Sequence, residues 1–286
     1  MFPEALEFHV SGSINNLVEW MLHTFRGFFD WVAEAILGML MFLNDALSIL
    51  PWWAYLLIVC ILAWLTTRRV ATTVTLTLLP LIIGIFGLWE LAINTLAIIL
   101  AAAFISILVG IPLGVLIAES PIAAGFIRPL LDLMQTMPSF VYLIPAVIFF
   151  GLGYVPAVFA TIIYSLPPII RLTDLGLNQV SEDVIEAALS CGATRWQLLR
   201  EVQLPLAVPS ILAGINQTTM MALAMVVVAA MIGGGGLGYE VLRAINRIDV
   251  GSGFEAGISV VILAIIIDRL TQGLAKRWEP PTVNNS

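Results

Sequence analysis

Apolar residues come in blocks along this chain, and polar residues come in islands between them. Blocks at about 51–67, 70–89, 93–118, 138–152, 154–172, 211–236 and 254–274 each read as a helix crossing a bilayer. Such a crossing takes about 20 apolar residues with few or no charges. The expected fold is an all-α membrane protein with about seven transmembrane helices: a five-helix core over about 93–274, preceded by two helices. The first block is short, with Trp52, Trp53 and Tyr55 at one end and Trp64 near the other, where interface anchors belong. The alternation of a membrane barrel is absent.

Before these blocks, residues 14–37 repeat apolar side chains at helical spacing. Ile14, Leu17, Val18, Met21, Leu22, Phe25, Phe28, Phe29, Val32 and Ile36 share one face, and Asn15, Glu19, His23, Arg26, Asp30 and Glu34 the other. That pattern predicts an amphipathic helix lying in the membrane interface. Residues 35–43 are apolar nearly all round, but Asn44 and Asp45 interrupt the run, so no span is expected there. The chain divides accordingly: an extracytoplasmic segment over 1–50, two helices over 51–89, the core over 90–278 and a tail over 279–286.

The largest polar island of the second half is SEDVIEAALSCGATRWQLLREVQLPLAVP, residues 181–209. Ser181 is expected to cap a helix whose first turns hold Glu182, Asp183 and Glu186, where negative charge suits the dipole. Ala187 and Ala188 keep that helix thin, and Gly192 lets the chain turn. Thr194 is placed to cap a second helix, Arg195 to Gln203, which Leu204-Pro205 should stop. Two short helices hinged at a glycine form a knob suited to a groove on a partner.

Composition supports the membrane reading. Sixty per cent of residues are hydrophobic and 11% charged, against about 25% charged in soluble domains. A net charge of −7 with no basic patch excludes nucleic acid as a partner. Alternating spans put Arg68, Arg69, Arg128, Arg171, Arg195, Arg200, Arg269, Lys276 and Arg277 on one side, and Arg26, Arg243 and Arg247 on the other. The richer side is the cytoplasmic one, so the island and the C-terminus are expected inside and the N-terminal segment outside. MFPEALEFHV has no basic n-region, so no cleaved signal peptide is expected.

No catalytic or metal constellation is present in the sequence. Cys60 and Cys191 form no redox or ligand motif, and there is no G-x-S-x-G elbow or nucleotide-cradling glycine loop. The runs 95–118, 139–170, 202–239 and 256–267 contain no Asp, Glu, Lys, Arg or His before the terminal Glu119, Arg171, Glu240 and Asp268. A proton- or ion-coupled carrier needs such groups near the midplane. The polar groups that remain include Asn216, Gln217 and Thr218. If transport is driven, the energy enters through a partner. Pro138, Pro145, Pro156, Pro167, Pro168, Pro205 and Pro209 predict kinked helices around a protein-lined path. Gly233 to Gly236 reads equally as a gate or close helix crossing and as a helix stop.

The spaced pattern EAALSCGATRWQLLREVQLPLAVP resembles the EAA loop of permease subunits in binding-protein-dependent ABC importers. Residues 127–153, 162–180, 213–227 and 261–274 resemble the glycine betaine/proline betaine branch, and the likeness covers about 90–275. MIGGGGLGYEVL is richer in glycine than that branch leads one to expect. The resemblance implies a non-enzymatic permease in the bacterial inner membrane. It would pair with a second copy of itself, dock on two ABC ATPase subunits that use ATP and magnesium, and be fed by a periplasmic binding protein, binding no cofactor itself. It implies coupling through Glu186, Ala187, Ala188, Gly192, Arg195, Leu204 and Pro205. Phe140, Tyr142, Phe149, Phe159 and Tyr164, with Asn216, Gln217, Thr218, Met221 and Gly234, are the candidates for pathway or gate. The substrate would be a betaine, with choline, carnitine or an amino acid as same-class alternatives. An ion-coupled carrier or a mechanosensitive channel is the reading from a different class.

Overall fold

The computed structural model describes residues 11–275, and every element among them is helical. The stretches 1–10 and 276–286 lie outside it, and with them Lys276, Arg277 and the tail expected over 279–286.

Three long helices form the centre: α5 (Trp89–Glu119), α8 (Tyr154–Asn178) and α11 (Leu204–Ala229). They are assigned after α1 (Ser11–Thr24), α2 (Arg26–Ser48), α3 (Trp52–Thr67), α4 (Val70–Ile85), α6 (Pro121–Thr136), α7 (Leu143–Phe150), α9 (Glu182–Ser190) and α10 (Arg195–Gln197); α12 (Leu237–Arg247) and α13 (Val250–Ala275) complete the set. Small residues bring the central three together, as in helices that cannot rely on a hydrophobic drive within lipid. A Cβ on Gly114 would stand 2.5 Å from Thr173 Cβ, and one on Gly176 would stand 2.7 Å from Ser210 Cβ. Between α5 and α8 the hydroxyls of Ser106 and Ser165, both fully buried, share a hydrogen bond of 3.1 Å. Pro167 and Pro168 are buried inside α8, and the helix continues through both.

Four expected spans, 93–118, 154–172, 211–236 and 254–274, appear as long helices. The fourth block, 138–152, does not form a straight span. It is a short 3-10 turn, Ser139–Tyr142, followed by the eight-residue α7, and this segment is bent 114° from α6. Pro138 sits in the break and cannot supply the backbone donor that would continue α6. Helices α3 and α4, 16 residues each, reach about 24 Å at 1.5 Å per residue, less than a hydrocarbon core of about 30 Å. They form a hairpin whose turn, at Arg68, has φ of 50°.

The N-terminal helix is longer than its polar pattern suggests. It breaks at Phe25 and then runs through Asn44 and Asp45 to Ser48, long and apolar enough to cross a membrane by length and composition. Its contacts place it across one end of the bundle. Near its start, Phe29 stacks on Phe149, ring centres 4.6 Å apart, and meets Phe150 edge-on; Phe150 in turn lies on Phe159, early in α8. At its far end Leu47 accepts a 2.6 Å hydrogen bond from Tyr55 and shares a cavity with Trp89, Tyr154 and Gly236. Both ends of a helix of about 34 Å thus rest where α5 and α8 begin. It buries Ile36 and Leu40 there.

Candidate functional site

The island projects from the opposite end, between the last turn of α8 and the first of α11. Ser181 precedes α9 in extended conformation, but its side chain makes no capping bond; its carbonyl accepts from Val184 and Ile185 at 3.1 and 3.2 Å instead. At the other end of α9, Gly192 takes φ of 84°. Its N–H donates to Leu189 at 2.9 Å and that of Ala193 to Ala188 at 3.1 Å, closing the helix with the paired bonds that a left-handed residue allows. Thr194 then starts the second limb with a reciprocal cap: Gln197 N–H donates to Thr194 Oγ1 at 3.3 Å, and Thr194 N–H to Gln197 Oε1 at 2.9 Å.

Leu204-Pro205 does not stop this limb. Residues Leu198–Gln203 form a π-helical turn that leads directly into α11, making one helix from Arg195 to Ile232. The physical reason lies in the proline. Pro205 lacks an N–H, and in a regular helix its ring would strike the carbonyl four residues back. A wider π turn just before it relieves that crowding. The second limb is therefore a rigid prolongation of α11.

Glu186, Ala187, Gly192, Arg195 and Pro205 are exposed, Ala188 and Leu204 half-buried. Val184, Leu189 and Trp196 are exposed apolar side chains on the same knob. Its footing is Leu198 and Leu199, both buried, with Leu199 packed among Ile169, Leu177, Ala207 and Ile211.

The pathway candidates do not form one cluster. Tyr142 and Tyr164 meet edge-on at 5.7 Å, and the Tyr142 hydroxyl donates to the Met134 carbonyl. Phe149 is taken up by Phe29 of α2, and Phe140 and Gln217 are exposed. Asn216 faces α13, where it donates to Asp268 at 3.2 Å and accepts from Thr271. Thr218 is fully buried, with no hydrogen-bond partner for its hydroxyl among the described residues. Met221 is half-buried on α11.

Gly234 belongs to a tight crossing at the end opposite the island. Gly233, at φ of 97°, ends the helix by the same paired bonds as Gly192, since Gly233 and Gly234 donate to Ala230 and Ala229 at 3.2 and 3.1 Å. The glycine run also lets backbones touch: Gly153 N–H donates to Ile232 at 2.8 Å, and Leu237 N–H to Thr95 Oγ1 at 2.7 Å. A Cβ on Gly236 would stand 2.3 Å from Thr95 Oγ1. Helix stop and close crossing are both present in one element.

One feature was missed in the sequence. Arg128 on α6 grips Asp174 on α8 with two bonds of 3.1 Å, and Asp132 on α6 pairs with Arg171 on α8. The signal was there: Arg and Asp four apart on one helix, Arg and Asp three apart on another, in an order that matches when the two run antiparallel.

The family model described as binding-protein-dependent transport system inner membrane component matches residues 110–280. The chain is 48% identical over 262 residues to the glycine betaine/proline betaine transport system permease protein ProW of Escherichia coli (strain K12), covering 91% of this chain and 73% of that one. It is 45% identical over 263 residues to the glycine betaine transport system permease protein OpuAB of Bacillus subtilis (strain 168), covering 91% and 92%. Among solved structures, an inward-facing MetNI methionine ABC transporter matches with a TM-score of 0.62 over 68% of this chain and 96% of that one, at 22% identity. That level of identity speaks for the fold alone.

Proposed function

This chain belongs to the binding-protein-dependent transport system inner membrane components, and from that premise we propose that it is the permease of an ATP-driven betaine importer. The observation that carries the coupling half of this reading is the knob, an exposed two-limbed projection footed on Leu198 and Leu199 between α8 and α11. In this reading two copies of the chain dock on two copies of a separate ATPase. Glu186 to Pro205 enters a cleft on each ATPase, which alone binds ATP and magnesium. A periplasmic binding protein delivers the solute at the glycine-rich end. The knob and the C-terminus face the cytoplasm, and α1 and α2 lie outside. Glycine betaine and proline betaine are the substrates, as in the names of the relatives; choline, carnitine and amino acids are the alternatives within the same mechanism.

Proteoliposomes holding this chain, its ATPase and its binding protein test the proposal. Glycine betaine is expected to stimulate ATP hydrolysis and to accumulate only when ATP is supplied. Uptake in vesicles stripped of the ATPase and driven by an ion gradient would make the chain a carrier and sink the reading.

A further inference from the structure

At the end of the bundle that carries the island, α13 passes close to the turn between α3 and α4. A cavity of about 240 Å³ opens there among Thr66, Thr67, Arg69, Thr72, Arg269 and Gln272. Gly273 makes the close approach possible, since a Cβ on it would stand 2.5 Å from Thr66 Cβ. With the two backbones in contact, the larger side chains ring the opening.

Among the described residues no carboxylate pairs with the two arginines of this cavity. Arg26, Arg128, Arg171 and Arg243 each face an acid, whereas the exposed Arg69 and Arg269, like Arg68, Arg195, Arg200 and Arg247, have no ion-pair partner among the described residues; of these, Arg69 and Arg269 share a cavity with each other. The nearest carboxylate along α13, Asp268, is taken up by Asn216 and Gln272, which donate to it at 3.2 and 2.7 Å. Thr66 and Thr67 spend their hydroxyl protons on the carbonyls of Leu62 and Ala63. What remains for a ligand is two guanidinium forks and the Thr72 hydroxyl, donors of the type that suits phosphate oxygens.

The surroundings distinguish a lipid from a free anion. Leu62 on α3, Val70 and Val74 on α4 and Leu274 on α13, each within four residues along the chain of one that lines the cavity, are exposed apolar side chains. The two hairpin helices are shorter than a hydrocarbon core, as described above, and such a mismatch is met by local thinning of the bilayer and by snorkelling of flanking residues such as Arg69, both of which bring headgroup phosphates to the turn. We propose that this cavity holds the phosphodiester of an anionic phospholipid, clamped by Arg69 and Arg269, with its acyl chains along those apolar side chains. The proposal rests on the membrane fold and is independent of what the protein transports.

The test is native mass spectrometry of the full chain released from nanodiscs of equal phosphatidylglycerol and phosphatidylcholine. The wild type is expected to retain phosphatidylglycerol selectively, and the double variant R69Q/R269Q to retain about thirtyfold less. Arg26→Gln, at the other end, should leave retention unchanged, and R69K/R269K should retain an intermediate amount, since it keeps the charge and loses the bidentate fork. Equal retention of the two lipids by the wild type, or full retention by R69Q/R269Q, would overturn the proposal. So would a loss in R69K/R269K as complete as in the glutamine variant, which marks a packing defect. Displacement of the lipid by millimolar inorganic phosphate would assign the cavity to a free anion.

Discussion

Gly192 separates two contributions that most substitutions in a docking loop confound. It lies at φ of 84°, and a Cβ added to it would meet nothing within 4 Å. An L-residue placed there incurs the left-handed penalty of about 1–2 kcal/mol, and its Cβ meets no clash within the subunit. Gly192→Ala and Gly192→Arg therefore share one intramolecular cost. A penalty of this size lowers the population of the native turn by about fivefold to thirtyfold if the turn alone opens. Asparagine tolerates the left-handed region better than alanine, so Gly192→Asn should cost less than either.

What differs between alanine and arginine is the bulk and charge shown to a partner. If the knob enters a cleft on the ATPase, Gly192→Arg abolishes betaine-stimulated hydrolysis in the reconstituted complex, Gly192→Ala lowers it, and Gly192→Asn lowers it least. Membrane insertion and the melting temperature of the isolated permease should be the same for alanine and arginine. Two results would refute the reasoning. Equal losses for alanine and arginine would mean that turn geometry alone matters, and full stimulated hydrolysis in Gly192→Arg would mean that the knob does not dock there.

Three further outcomes follow from the geometry. Reversing one charge, as in Arg128→Asp, sets two carboxylates against each other beside Asp174, whose side chain is only 14% exposed, and should lower the melting temperature; the swap R128D/D174R should restore most of it, as a thermal shift assay would show. Thr95→Val removes the acceptor for Leu237 N–H, which is fully buried, and should destabilise the glycine crossing by about 1–3 kcal/mol, read as faster amide exchange at Leu237. A cysteine introduced at Glu19 should react with an impermeant maleimide in intact cells; reaction only after lysis would invert the proposed topology.

How far the sequence could be read depended on the physics behind each feature. Long uncharged runs have one stable form in lipid, so α5, α8, α11 and α13 were plain, as was the turn at Gly192. Features set by tertiary contact were less legible. Whether Asn44 and Asp45 end a helix depends on whether it must enter hydrocarbon; α2 lies across the bundle end, where both residues can stay hydrated. Pro205 stops a regular helix but not one widened by a π turn, and nothing in LLREVQ announces that turn. Asn216 was a candidate for the pathway because polar groups are scarce in the spans, yet that scarcity is equally why it bonds to Asp268 and Thr271.

The knob and the glycine crossing are at opposite ends of the molecule, and α8 and α11 connect them. The knob joins the C-terminal end of α8 to the N-terminal end of α11. At the other end, Gly153, just before α8, donates to Ile232, just after α11. Between these ends the two helices are held by contacts at Gly176 and Gly214 in which an added Cβ would lie 2.7 to 3.3 Å from its neighbours, too close for one helix to slide freely past the other. Because the second limb of the knob continues α11 without a break, a push on Arg195 or Trp196 acts on α11 as a lever rather than bending a loop. The glycine run is where that lever meets α5 and the start of α8, with backbones in contact and almost no side chains to cushion a shift. In the proposed reading, displacement of the knob by an ATPase would be carried along α11 to the crossing at Thr95, Gly153 and Gly236.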